Sequence, residues 1–207
     1  MTISNVEQVR DAFLDAQYRS ANAASSGQTT LADGLGRLED IFSEFDGGSD
    51  TATGLSGRVA DVLTALSNLT ASPDDVGLLS TVRSKMNTLT QTVRMQSRQL
   101  DTLEAQARAE LDGAVNGGLS STSGGVNTLV ENIASLNRQI ASYELSGRQA
   151  TDLRDSRSLL LDRLSAQLDI TVSEQKNGVV AVSIAGDGTH SLIDAGNNVT
   201  KLKINDD

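Results

Sequence analysis

The chain has 207 residues, room for one domain or two, and a net charge of −10 that disfavours nucleic acid and anionic membranes, which call for clustered Lys and Arg. It has no cysteine, which excludes disulfides and thiolate metal sites, and only 2% aromatics with no tryptophan, which leaves little for stacking on bases or sugars. No apolar run reaches the length of a membrane span, no basic-plus-apolar leader opens the chain, and a single proline among many Ala, Ser, Leu, Asn and Gln suits long helices packed through small residues.

Residues 2–5 are too few to classify. From Val6 the spacing Val6, Val9, Phe13, Ala16 predicts a helix that continues through Ala23 and Gly27 to Leu31, Leu35, Leu38, Phe42 and Phe45. Ser25-Ser26-Gly27 and the pair Gly34 and Gly36 weaken it without reversing the chain, and Asp46-Gly47-Gly48-Ser49-Asp50 ends it. A shorter amphipathic helix follows, with Leu55, Val59, Val62, Leu63, Leu66 and Leu69 on one face.

Ser72-Pro73-Asp74-Asp75 then reads as a helix start. Ser72 is expected to cap, Pro73 to take the first helical position, and the two aspartates to sit at the positive end of the dipole. Apolar residues recur three and four apart, Leu79, Val82, Met86, Leu89, Val93, then Leu100, Leu103 and Ala107, with Gln96 as the polar interruption. A second run, Val126, Leu129, Ile133, Leu136, Ile140 and Tyr143, keeps that spacing, as a coiled-coil-like seam does. Between them Gly113 to Gly125 carries several glycines, each costing about 0.8–1 kcal/mol in a helix interior, which could make a hairpin loop. Leu111, Val115, Leu119 and Thr122 nevertheless carry the stripe across, so the reading is one helix from Ser72 to Ser146, roughly 110 Å long and clad by antiparallel neighbours.

Ser146-Gly147 ends that helix. The next starts at Thr151 or Asp152 and runs to about Leu168, with Leu153, Leu160, Leu161, Leu164 and Leu168 as its apolar face. The period then turns twofold. Ile170 and Val172 alternate, Lys176-Asn177-Gly178 is a hairpin signal, and Val180, Val182 and Ile184 alternate again. Gly186-Asp187-Gly188 turns the chain into Ser191-Leu192-Ile193, and Val199, Leu202 and Ile204 make a last irregular strand before Asp206-Asp207. Strands that stop so abruptly are expected to open a larger sheet in a longer protein.

Candidate sites are sparse. His190 is the only histidine and has no partner at triad or metal-ligand spacing, so it reads as a solvated turn residue. Asp40, Glu44 and Asp46 lack the alternation, central glycine and closing glutamate of a calcium loop. Gly34-Leu35-Gly36 lacks the third glycine and preceding strand of a dinucleotide fingerprint. The triplets Asn68-Leu69-Thr70 and Asn198-Val199-Thr200 match a glycosylation acceptor but are treated as incidental. Asp152, Arg154, Asp155 and Arg157 stand at a helix start, where the aspartates can cap. The two arginines cannot neutralise each other and call for partners on an adjoining helix. No catalytic, cofactor or metal residue is assigned, and no convergent pocket of titratable groups supports an enzyme.

Three blocks resemble the family of the first flagellar hook-associated protein, part of the bacterial hook–filament junction. Val9-Arg10-Asp11-Ala12-Phe13-Leu14-Asp15-Ala16-Gln17-Tyr18-Arg19 looks like the opening of its long helical domain. Ile133-Ala134-Ser135-Leu136-Asn137-Arg138-Gln139-Ile140 resembles its Ile-Ala-x-Leu-Asn-x-Gln-Ile run. Asp152-Leu153-Arg154-Asp155-Ser156-Arg157 with Leu159, Leu160 and Leu164 resembles its Asn-Asp-Leu-Leu-Asp-x-Arg-Asp-x-Leu signature, with Thr151 for the usual Asn and Ser158 for the second Asp. The blocks keep the family's order and together span nearly the whole chain.

The resemblance implies a helical Leu111–Val126 stretch and a core fragment lying between an N-terminal polymerising segment and the outer β domains. It also implies export through the flagellar type III apparatus without a cleavable signal, and an extracellular place in the flagellum. The implied partners are copies of itself, the hook protein and the next junction protein, with the fragment alone a monomer. The expected fold is mainly α with a small β part: an elongated antiparallel helical bundle over 1–168 and the start of an antiparallel β domain over 169–207. The expected role is a structural adapter without catalysis or cofactor. Flagellin, the third hook-associated protein and an adhesin-like coiled-coil module are the alternatives.

Overall fold

The computed structural model describes residues 12–42, 54–117, 124–145, 147, 149–175, 177–186 and 190–205. The described helices are α1 (Ala12–Phe42), α2 (Leu55–Ala71), α3 (Val76–Asn116), α4 (Val126–Glu144) and α5 (Thr151–Ser165). Three strands follow, β1 (Ile170–Glu174), β2 (Val180–Ile184) and β3 (Ser191–Ile193), forming an antiparallel sheet in the order β1-β2-β3. This is the mainly α class with a small antiparallel sheet that the periodicities predict. Val6, Val9, Phe45, the terminator at 46–50 and the closing Asp206-Asp207 lie outside the described residues.

The chain divides into two compact units, one of Met1–Thr30 with Ala109–Asp207, the other of Leu31–Arg108. In the second unit α2 and α3 are joined by a short turn over residues 72–75. The Ser72 cap expected for α3 does not form. Pro73 drives the residue before it out of the helical region, and Ser72 takes φ −144°, ψ 77° and closes α2, its N–H donating to Leu69 O. The N–H of Asp75 then bonds Ser72 O across a turn, and Asp75 itself caps α3, Oδ1 accepting from the N–H of Gly77 (2.7 Å) and of Leu78 (3.2 Å). Lys85 Nζ meets Asp61 Oδ2 at 2.9 Å, at nearly equal distance from the turn on each helix, as antiparallel neighbours do. Among the described residues of this unit the buried side chains are few: Val62, Ala65, Val82 and Gln96. Gln96, which interrupts the stripe, is inside, its Nε2 donating to Ile41 O. Leu79, Met86 and Val93 of the same stripe stay about half exposed, at 51%, 48% and 47%.

The single long helix is overturned in the first unit. α3 ends at Asn116, and Gly117 and Gly124 adopt left-handed φ of 78° and 76°. Gly125 then passes so close to the earlier backbone that a Cβ there would lie 2.1 Å from the Gly117 nitrogen. Only glycine permits that crossing. Leu119 and Thr122, which carry the stripe in the sequence, lie outside the described residues.

Beyond the break, Val126, Leu129, Val130, Ile133 and Ala134 of α4 form one core with Leu161 and Leu164 of α5 and with Ile170, Val180, Val182, Leu192 and Ile193 of the sheet. Residues on both sides of position 168 thus share it. The β1–β2 hairpin has Ile170 opposite Ile184 and Val172 opposite Val182, so the alternating apolar residues face the helices. Its tight end has Gln175 N–H bonded to Val179 O and Gly178 at φ 74°, while Lys176 is not among the described residues. The expected last strand is reduced to one bridge, Ile193 with Val199. The start of α1 also belongs to this unit. Arg19 Nε donates to Asp162 Oδ1 at 2.9 Å, and Asn22 Nδ2 to Asp162 O and Ser165 Oγ.

Candidate functional site

The residues of the two C-terminal sequence blocks converge where α4, α5 and the hairpin meet. Asn137, on the face of α4 that carries Ile133 and Ile140, is fully buried, and an amide there must find all its partners within the protein. It does. Its Oδ1 accepts from Val180 N–H (3.2 Å) and Arg157 Nη1 (2.9 Å), and its Nδ2 donates to Val180 O (2.9 Å) and Asn197 Oδ1 (2.8 Å). Ladder pairing of β2 with β3 reaches only Val182 and Ser183, so the Asn137 amide stands in for a strand at Val180. Asn197, held at φ 64°, returns its Nδ2 to Ala134 O of α4.

Ten residues earlier Asn127 repeats the device. Its Oδ1 accepts from Leu202 N–H at 2.8 Å, and its Nδ2 donates to Leu202 O and to Asn116 Oδ1, both at 3.0 Å. One helix therefore holds two extended segments through side-chain amides.

Arg157 enters from α5 and is 4% exposed. Nη1 also donates to Gly178 O at 2.6 Å, and the nearest carboxylate oxygen, Glu174 Oε1, is 4.0 Å from Nη2. Burial pushes its pKa down, with the neighbouring Arg154 and Arg19 charges adding to that effect against Glu174 and Glu144. One turn earlier, Arg154 forms a two-pronged pair with Glu144, at 2.7 and 2.8 Å, and reaches Glu174 Oε1 at 2.6 Å through Nη1. The Arg154 guanidinium holds the Glu144 carboxyl below the usual range, helped by the N–H of Ala150 and opposed by burial. In return Glu144 raises the Arg154 pKa. Glycine suits position 178 because its φ is 74°, and a Cβ there would also press on the ends of the ion pair, 2.7 Å from Glu144 Oε2 and 3.0 Å from Arg154 Nη2.

The adjoining-helix partner expected for Arg154 is thus Glu144 of α4, whereas Arg157 is met by neutral acceptors. Ala150 is the N-cap of α5 without a side-chain cap, and Asp152 stands in the first turn, where the helix dipole favours its charge. A groove of about 440 Å3 beside β1 is lined in part by Asp15, Arg19, Arg154, Arg157 and Glu174, whose guanidinium groups are already engaged in the bonds above.

The other candidates are scattered. His190 is exposed ahead of β3, its carbonyl accepting from Ile184 N–H, and Asp187 to Thr189 lie outside the described residues. Asp40 is exposed on α1, while Glu44 and Asp46 lie outside the described residues. Gly34 and Gly36 are interior to α1 rather than in a phosphate-binding turn. Asn68 and Thr70 lie in the last turns of α2, and the Asn198 amide is bonded to Asp194. Among the described residues no group of three or more His, Asp or Glu side chains is placed to hold a metal. Asn127 and Asn137 are residues to which the sequence pattern assigns no role. Their signal is that both are polar positions flanked by the apolar stripe of α4.

The family model described as "Flagellar hook-associated protein FlgK helical domain" matches residues 35–207. Flagellar hook-associated protein 1 of Bacillus subtilis (strain 168) is 32% identical over 191 residues, 91% of this chain and 34% of that protein. The protein of that name from Salmonella typhimurium is 27% identical over 196 residues, 88% of this chain and 31% of that one. The chain therefore spans about a third of the length of these relatives. The solved flagellar hook junction protein FlgK from Burkholderia pseudomallei shares the fold, with a TM-score of 0.72 at 24% identity over 90% of this chain and 30% of that one.

Proposed function

We propose a structural role at the hook–filament junction of the bacterial flagellum for this chain, which belongs to the flagellar hook-associated protein FlgK family and matches its helical domain. That family is a structural, non-enzymatic one, and the polar residues at the convergence support the reading. Asn137, Arg154, Arg157 and Glu144 tie α4, α5 and the hairpin into one body, and their donors and acceptors serve those ties rather than a substrate. A subunit that carries load between its neighbours needs such ties, because side-chain amides and bidentate ion pairs fix orientation as well as separation.

In the whole protein this domain acts as an adapter, assembling with other axial components of the flagellum. The hook protein lies on one side and the next junction protein on the other, with like subunits alongside. The protein reaches that extracellular place through the flagellar type III apparatus, and the 207-residue chain by itself is a monomer. Among the described residues no helix is long and apolar enough to cross a membrane.

The test is immunogold electron microscopy of the native organism with antibodies raised against this chain. A single band between hook and filament is the expected result. Label along the filament points to flagellin, and label over the cell surface away from flagella points to an adhesin; either result overturns the junction role.

A further inference from the structure

Two helices pass from one compact unit into the other, α1 at Thr30–Leu31 and α3 at Arg108–Ala109. Each does so through a stretch exposed on every face, residues 27–33 in α1 and 104–112 in α3. Exposed in this way, these stretches bury little and depend most on local helix energetics, and there the two differ.

The α3 crossing, Glu104-Ala105-Gln106-Ala107-Arg108-Ala109-Glu110-Leu111, is built from strong helix formers and carries an ion pair one turn apart, Arg108 Nε to Glu104 Oε1 at 3.1 Å. The α1 crossing, Ser25-Ser26-Gly27-Gln28-Thr29-Thr30-Leu31-Ala32-Asp33-Gly34-Leu35-Gly36, is built from weak ones. A Cβ added at Gly27, Gly34 or Gly36 would meet nothing within 4 Å, so packing does not require glycine at any of them. Thr29 and Thr30 turn their hydroxyls back onto the carbonyls of Ser25 and Ser26, both at 3.0 Å, a bond that favours helix bending.

We propose that the α1 crossing is a compliant joint: between Ser25 and Gly36 the helix opens locally and changes curvature while the α3 crossing stays stiff. Bending is thereby confined to one of the two crossings. This property belongs to the chain's own helices and stands apart from the junction role.

Hydrogen exchange on the 207-residue chain, read by mass spectrometry or NMR, tests it. After correction for intrinsic rates, amides of residues 27–36 are expected to exchange faster than those of 104–112, and both faster than Ile133. The triple variant Gly27→Ala, Gly34→Ala, Gly36→Ala should slow the α1 crossing roughly a hundredfold, at about four- to fivefold per position. Ala105→Gly with Ala109→Gly should speed the α3 crossing about twentyfold. Equal or slower exchange in the α1 crossing of the unaltered chain, or an unmoved rate in the triple variant, overturns the joint.

Discussion

The two apolar runs at coiled-coil spacing look alike along the chain and meet opposite fates. In α4, Val126, Leu129, Ile133 and Ile140 are buried, and Ile133 is 0% exposed. In α3, Val82 is buried, while Leu79, Met86 and Val93 are about half open to solvent. The difference lies in the partners each run finds. α4 is met by α5 and by a sheet whose alternating residues offer a complementary face, and two asparagines close the backbone groups that the short strands leave open. Among the described residues, the part of α3 in Leu31–Arg108 has only α2 and the end of α1 in its own unit. Periodicity marks a face that can be buried; a partner must still be there to bury it.

That contrast can be broken most sharply at Asn137. Asn137→Ala removes four hydrogen bonds and leaves the Val180 backbone and the Arg157 guanidinium short of partners in a buried place, a loss of about 4 kcal/mol. Urea unfolding followed by circular dichroism reads it, and a change below about 1 kcal/mol would show that the amide is incidental. Ile133→Ala leaves a cavity in the same core and is expected to cost about 3 kcal/mol in that assay.

The ion pair below them gives a pH signature. The Glu144 pKa is lowered, chiefly by the hydrogen bonds from Arg154, so its contribution is fully present above the ordinary carboxylate value of 4.5. It is lost as pH falls through the lower folded value. Glu144→Gln should cost about 1 kcal/mol near neutrality and flatten the fall of the urea midpoint below pH 4.5. Parallel pH profiles for the two proteins would remove Glu144 from the account. At the small end, Met86→Ala on the open stripe of α3 should change stability by no more than about 0.5 kcal/mol. A loss equal to that of Ile133→Ala would mean that the stripe is covered in the free chain.

Part of the fold is legible in the sequence. Asn177-Gly178 marks the hairpin, and the alternation from Ile170 to Ile184 marks its facing, because both depend on near neighbours. The family likeness is legible in the blocks around Ile133 and Asp152, in keeping with the match over residues 35–207. Ser72 has the chemistry of a cap, but the N–H groups it would satisfy belong to a helix that starts beyond its reach at Val76, so Asp75 takes that place. The stripe through Leu111 and Val115 suggests a continuity that Gly117 and Gly125 deny. A stripe fixes no backbone angle, whereas two backbones in contact allow no side chain. The role of Asn137 is hidden in the sequence, since its partners lie 20 to 60 residues away.

By itself the sequence determined what is settled within a few residues of each position: helical or extended period, the Asn177-Gly178 turn, and the absence of thiol chemistry. The tertiary structure alone decided which apolar stripe is covered, where the backbone crosses itself, and which side-chain amides complete a strand. The physical reason is one of range. Backbone preference is a local energy, whereas burial and hydrogen-bond completion are energies of groups that the chain brings together only once it has folded.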